Sequence, residues 1–150
     1  VGPDKGDGSL QAVRRTAEAL GVLERIAFPG GVPKAEVPAW LDKGDIFINT
    51  TNVDNTPVSV MEAMACGLCI VSTDVGGIPY LLEHERDALL VPAGGADAMA
   101  EAVQRILTEP GLAERLSRNA RAKAEGFDWS VILPAWEQIF SRSGSRCLTG

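Results

Sequence analysis

Histidine, cysteine and surplus basic charge are all scarce in this chain of 150 residues. His84 is the single histidine. It sits between Glu83 and Glu85 at a polar helix end and reads as a solvated residue, since a general base needs a partner and a cleft. Three cysteines cannot pair completely. The start, Val1-Gly2-Pro3-Asp4-Lys5-Gly6-Asp7-Gly8, has neither the basic nor the apolar part of a secretory leader. Together these features imply a reduced, cytoplasmic chain. With 14 Lys+Arg against 20 Asp+Glu the net charge is −6, which argues against a nucleic-acid-binding face. No apolar run approaches the roughly 20 residues that cross a bilayer. The strict Gly-x-Gly-x-x-Gly of dinucleotide enzymes is missing too; Gly2, Gly6 and Gly8 do not supply it, which argues against an NAD(P)-dependent oxidoreductase.

What is present is an ordinary globular composition, 45% hydrophobic and 23% charged, with no repeat and no internal linker. Ser9 is expected to cap a helix carrying Leu10, Val13, Ala17 and Leu20, stopped by Gly21. Arg25 to Phe28 is a short strand candidate, and Val37, Trp40 and Leu41 mark a short helix closed by Gly44. Asp45 to Asn49 reads as a buried strand. A helix follows from Pro57 to a stop at Gly67, then a strand over Cys69–Thr73, a helical turn over Ile78–Glu83 and a strand over Ala88–Val91. Ala96 to Glu109 is helical, Pro110 opens a helix reaching Glu125, and Phe127, Trp129, Ile132, Trp136 and Phe140 mark a terminal helix with a bulky apolar side. Residues 141–150 read as a flexible tail. This alternation implies an α/β fold, a Rossmann-like parallel sheet with helices on both faces. Ligands of such sheets bind beyond the carboxyl ends of the strands, and the loops Asn49–Ser59 and Thr73–Gly77 qualify best.

Glu62 is the one formally charged residue between Asp54 and Asp74, on an otherwise apolar helix. A carboxylate near a buried face is costly without donors. Two explanations stand open. Ser59-Val60-Met61-Glu62 fits a capping box, the plainer reading from local spacing, and Glu62 also suits the hydroxyls of a bound polyol such as ribose. Ahead of it, Asp54-Asn55-Thr56-Pro57 lies between a strand and a helix N-terminus, where free N–H groups and the helix dipole favour an anion. Pro57 removes one donor, which leaves the amides of Val58 and Ser59. The same four residues suit a tight strand-to-helix turn.

Here the chain resembles a family. Residues 45–92 carry the Asp45–Asn49 strand, the Glu62-Ala63-Met64-Ala65-Cys66-Gly67 helix end, the Ile70–Thr73 strand and Asp74-Val75-Gly76-Gly77-Ile78-Pro79. They look like the donor-binding half of GT-B glycosyltransferases of family 4, the retaining enzymes that use nucleotide-diphosphate sugars. The resemblance runs from Val1 to about Phe140 and includes Gly2 in the first loop and the terminal Phe127-Asp128-Trp129. It implies a C-terminal nucleotide-sugar-binding domain over residues 1–140, N-terminally truncated and lacking its first strand–helix unit and the acceptor-binding N-terminal domain. It implies that Glu62 holds the donor ribose. Asp54, where the family usually has Glu, would be the catalytic-site acid touching hydroxyls of the sugar. Asn55, Thr56, Pro57, Val58 and Ser59 would face the diphosphate, with Gly2 in support. No metal or other cofactor is implied, in keeping with the lack of an Asp-x-Asp or a histidine cluster. The fragment alone is expected to be inactive, because the family's upstream Arg/Lys pair and half of the cleft lie elsewhere.

Several features carry plainer meanings. Cys66-Gly67-Leu68-Cys69 has redox or zinc spacing, but no second pair follows and a helix-stop-strand context explains both cysteines as core fillers. Asn49-Thr50-Thr51 matches a glycosylation sequon by chance. Arg115, Arg118 and Arg121 form a basic stripe, by default a solvated face, with contact to a membrane surface or anionic lipid acceptor as the minor alternative. Trp129 and Trp136 would pack on the sheet or on the N-terminal domain. The competing function is a non-catalytic domain kept for nucleotide-sugar binding or assembly.

Overall fold

The computed structural model describes residues 2, 4 and 6–144. Its contacts group into two compact units, Val1–Lys43 and Gly44–Gly150.

In the first unit, helix α1 spans Ser9–Ala19. Ser9 is not its cap. Gly8, at φ 83°, holds that place and the Asp7 carboxylate accepts the Ser9 N–H at 2.9 Å. The left-handed turn at Gly8 brings Ser9 into helical geometry, so the acceptor comes from two residues earlier. The expected stop at Gly21 is present: its N–H bonds the Glu18 carbonyl and Val22 N–H bonds that of Ala17, a Schellman ending. Only Ala17 of the α1 stripe is buried. The strand expected over Arg25–Phe28 does not form. Leu23–Arg25 is a 3-10 turn, and Ile26 continues in extended backbone with no strand beside it among the described residues. Extended residues become a strand only with a neighbour to exchange hydrogen bonds with. A 3-10 turn over Lys34–Glu36 leads into the short helix α2, Val37–Leu41.

The second unit follows the expected alternation: β1 Ile46–Asn49, α3 Val58–Ala65, β2 Cys69–Thr73, α4 Ile78–Leu81, β3 Leu89–Val91, α5 Ala96–Thr108 and α6 Leu112–Glu125. The strands form a parallel sheet in the order β1-β2-β3, with Ile46 opposite Cys69 and Val71 opposite Leu89. β2 is central and wholly buried. Cys69 and Val71 join Leu89 and Val91 in a core closed by Ala102 and Ile106 of α5 and Leu112 and Leu116 of α6. The alternate residues Ile70 and Ser72 face the other side and are equally buried, so the sheet is covered on both faces. Each fully buried aliphatic side chain here contributes about 1.5–3 kcal/mol.

Three expectations need correcting in this unit. β1 is an edge strand among the described residues, and Ile48 is 47% exposed, because only β2 pairs with it. α6 opens at Leu112 behind a left-handed Gly111, not at Pro110. The last helix, α7, runs from Trp129 to Gly144, so residues 141–144 of the expected tail are helical and the rest of it lies outside the described residues. The bulky side of α7 is present, with Trp136 stacked on Phe140 at 5.6 Å, but these rings, Trp129 and Ile139 are exposed. No helix among the described residues is long and apolar enough to cross a membrane.

Candidate functional site

The polar loop after β1 is fastened at two levels. Thr73, the last residue of β2, donates its hydroxyl to the Thr51 carbonyl at 2.6 Å, and Asn49 donates its amide to Ser72 Oγ at 3.0 Å. Four residues on, the Asp54 carbonyl accepts the Gly77 N–H at 2.8 Å. The Asp54 carboxylate folds back to accept the Thr56 N–H at 3.1 Å, the Asx turn that its short side chain suits. The two loops singled out from sequence, 49–59 and 73–77, therefore touch.

Asp54 is half-buried, Asn55 and Thr56 are exposed, and Pro57 is buried. Pro57, at φ −72° and ψ 108°, flanks α3, and its carbonyl accepts the N–H groups of Val60 and Met61. Val58 and Ser59 begin the helix, both are exposed, and no hydrogen bond to a described residue uses their N–H groups. Two free donors at the positive end of the α3 dipole form the geometry that receives an anion.

The capping box does not form. With the helix opening at Val58, Ser59 is already inside it, and no side chain caps the end. Glu62 is half-buried, and its carboxylate makes no hydrogen bond or ion pair to another described residue. With Val58, Met61 and Ala65 it forms one wall of a cleft of about 620 Å³. The other wall comes from the end of α6 and the start of α7: Arg121, Phe127, Asp128 and Trp129. Asp128 caps α7, accepting the backbone N–H and hydroxyl of Ser130 at 2.8 and 2.6 Å, and these bonds hold its carboxyl below the usual aspartate range. Asp54 does not line this cleft, so the two acids do not share it. Gly2 belongs to the first unit, where its N–H bonds the Gly30 carbonyl at 2.9 Å.

A second groove, about 580 Å³ and mostly apolar, opens at the carboxyl ends of the strands between Ile48, Thr73 and Pro92 and the start of α5. Thr50, Asn52 and Thr73 line it from the two loops singled out from sequence, but Asp54, residues 55–59 and Glu62 do not. Among the described residues no group of three or more His, Cys, Asp or Glu side chains could hold a metal ion. Cys69 is a buried filler whose thiol donates to the Ala113 carbonyl, and burial pushes it above the ordinary thiol range. Cys66 is half-buried and free. His84 accepts the Leu90 N–H at 2.9 Å, away from both clefts. The arginine stripe is engaged: Arg115 on the Glu85 carbonyl at 3.1 Å, Arg118 on Glu114 and Arg121 on Glu125 at 3.5 Å.

Sequence reasoning missed the far wall of the Glu62 cleft and the part played by Thr73. Arg121 and Trp129 lie about sixty residues from Glu62 in sequence, and helical periodicity records which face is polar, not what that face meets.

The family model for "Glycosyl transferases group 1" matches residues 1–109. The chain belongs to this family. Among similar proteins, the amylovoran biosynthesis glycosyltransferase AmsK of Erwinia amylovora is 37% identical over 127 residues, covering 80% of this chain and 31% of that protein. A D-inositol 3-phosphate glycosyltransferase of Streptomyces bingchenggensis is 26% identical over 145 residues, covering 95% of this chain and 32% of its own length. The chain thus spans about a third of these relatives. Its fold is similar to sucrose-phosphate synthase of Thermosynechococcus elongatus, with a TM-score of 0.82 at 24% identity over 97% of this chain and 37% of that one. It is also similar to Anabaena HepE in complex with UDP, with a TM-score of 0.81 at 23% identity over 92% of this chain and 38% of the other. The Rossmann-like half of a GT-B fold is what these likenesses establish.

Proposed function

We propose that this chain is the donor-binding half of a retaining glycosyltransferase that moves a sugar from a nucleotide-diphosphate sugar to an acceptor. The observation that carries the proposal is Glu62: a half-buried carboxylate on an apolar helix, without a partner among the described residues, facing an open cleft in a member of the group 1 family. In this reading Glu62 accepts hydrogen bonds from the donor ribose. Asp54 meets hydroxyls of the sugar with the carboxylate oxygen that the Thr56 amide leaves free. The N–H groups of Val58 and Ser59 receive the diphosphate.

The chemistry follows from those placements. Breaking the anomeric C–O bond leaves negative charge growing on the diphosphate leaving group. Amides already aimed at that oxygen, reinforced by the α3 dipole, lower the barrier because nothing must reorganise as the charge develops. No metal is part of the proposal. Similar proteins lend the donor class some support, since HepE has been solved with UDP and with UDP-glucose. Asp54 in place of a longer Glu sets the sugar about one methylene closer to the loop.

Calorimetric titration of the full-length protein with UDP, GDP, UDP-glucose and GDP-mannose tests the assignment. Asp54→Ala is expected to bind the nucleoside diphosphate as wild type does and to bind the nucleotide sugar at least tenfold more weakly. Wild-type affinity for both ligands in the variant overturns the role of Asp54. No binding of any of the four probes by the wild type overturns the donor reading.

A further inference from the structure

The Gly76–Gly77 turn lies closer to the 54–57 loop than any residue with a Cβ could. A Cβ on Gly77 would stand 1.5 Å from the Asn55 carbonyl oxygen and 2.6 Å from its carbon, and one on Gly76 would stand 2.0 Å from the Asp54 carbonyl oxygen. These obstacles are backbone atoms, which cannot rotate out of the way as the end of a side chain can. Gly77 itself has an ordinary φ of −86°, so its lack of a Cβ serves close approach and not an unusual backbone. Its N–H holds the Asp54 carbonyl at 2.8 Å. The turn is fixed from behind: Ile78 is fully buried and donates its N–H to the Val75 carbonyl at 3.0 Å, and the Gly77 carbonyl accepts the N–H of Tyr80 at 3.1 Å. Position passes from the core through Ile78 and Gly77 to the backbone of Asp54 and Asn55.

We infer that Gly77, with Thr73 as a second fastening at Thr51, is a positioning residue that sets where Asp54 and the α3 amides meet the sugar and diphosphate of the donor. The inference rests on the donor reading above. A single methyl at position 77 must move the Asn55 carbonyl from 1.5 Å to beyond the 3.0 Å that real contacts keep. A shift of about 1 Å in a positioned group costs on the order of a hundredfold in rate in other enzymes. Glu62 lies about one turn along α3, anchored by its buried neighbours Ala63 and Met64, so contacts to the ribose are spared.

The test compares full-length wild type, Gly77→Ala, Thr73→Val and Gly111→Ala by calorimetry and thermal unfolding. The probes are UDP and UDP-glucose, or GDP and GDP-mannose where the wild type prefers those. Gly111, at φ 75° with nothing within 4 Å of a Cβ, reports backbone strain without collision. Gly77→Ala is expected to weaken the nucleotide sugar at least tenfold more than the nucleoside diphosphate. Gly111→Ala should lower the unfolding midpoint and leave both affinities alone. A folded Gly77→Ala with wild-type affinity for both ligands overturns the inference. Should Gly77→Ala fail to fold, Thr73→Val decides: a selective threefold or larger loss for the nucleotide sugar supports the inference, and unchanged affinities overturn it. If the wild type binds none of the probes, the donor reading has failed; if Asp54→Ala also binds as wild type, the role of Asp54 has; if Asp54→Ala is impaired and Gly77→Ala is not, only the positioning role has.

Discussion

Replacing Glu62 by alanine separates the two explanations that its sequence context permits. A carboxylate bridging the two hydroxyls of a ribose makes two hydrogen bonds to a charged group, each worth about 1.5–3 kcal/mol. The cleft is open and Glu62 only half-buried, so the lower value applies to each. Their sum, about 3 kcal/mol, is roughly a hundredfold in Kd at about 1.4 kcal/mol per tenfold. Fold stability should hardly move. The substitution breaks no hydrogen bond and no ion pair among the described residues, and alanine is at least as good a helix former as glutamate. A change within about 0.5 kcal/mol is expected, the usual range for a substitution free of such features. Calorimetric titration of the full-length protein with the nucleoside diphosphate it binds gives the first quantity, and urea unfolding gives the second. A variant that loses more than about 1 kcal/mol of stability, the typical worth of a cap, while binding the nucleotide as before would refute the reasoning.

Two further outcomes follow from the ion pairs. Asp87 is buried, accepting the Glu83 N–H at 2.6 Å and facing Lys123 at 3.0 Å, while Lys123 is one-third exposed. Lys123→Met strands a buried carboxylate and should cost about 3 kcal/mol in urea unfolding, whereas Asp87→Ala leaves a lysine that reaches water and should cost less, about 1–2 kcal/mol; the reverse order would contradict the burial argument. Arg105 holds both Glu85 and Glu109 below the ordinary glutamate range through hydrogen bonds. Carboxyls lowered in the folded state stabilise it at neutral pH and lose that contribution as pH falls through their folded values, so the unfolding midpoint should drop on acidification below the usual glutamate range and Arg105→Met should flatten that limb. An acid limb identical in wild type and variant would assign the loss to other carboxylates.

Much of the second unit was legible because its signals are local. Cys69–Thr73 reads as a strand and is one, and Gly67 stops α3 as expected, its N–H bonding Met64 and that of Leu68 bonding Ala63. What failed depended on partners distant in sequence. Arg25–Phe28 has strand composition, yet no neighbouring strand among the described residues makes it one. Ile48 belongs to an apolar run, but its exposure follows from the edge position of β1. Ser59-x-x-Glu62 has the letters of a capping box, and its failure is local: the helix starts two residues early, with Pro57 instead of Ser59 at the cap. The site residues were legible one by one. Their settings were not: the Glu62 cleft borrows its far wall from α6 and α7, and the 54–57 loop takes its place from glycines twenty residues later.

The contact of Gly76 and Gly77 with Asp54 and Asn55 also bears on how such a protein can be re-engineered. Swapping residues 50–57 for those of a relative with another sugar preference would transplant side chains but not the surface they lean on. A donated loop whose backbone sits a few tenths of an ångström nearer has no room against the glycine turn, and one that sits farther away loses the Gly77 bond. The transferable module is therefore discontinuous, the loop together with Thr73–Ile78, and chimeras that exchange both pieces at once should keep donor affinity where single-loop exchanges lose it.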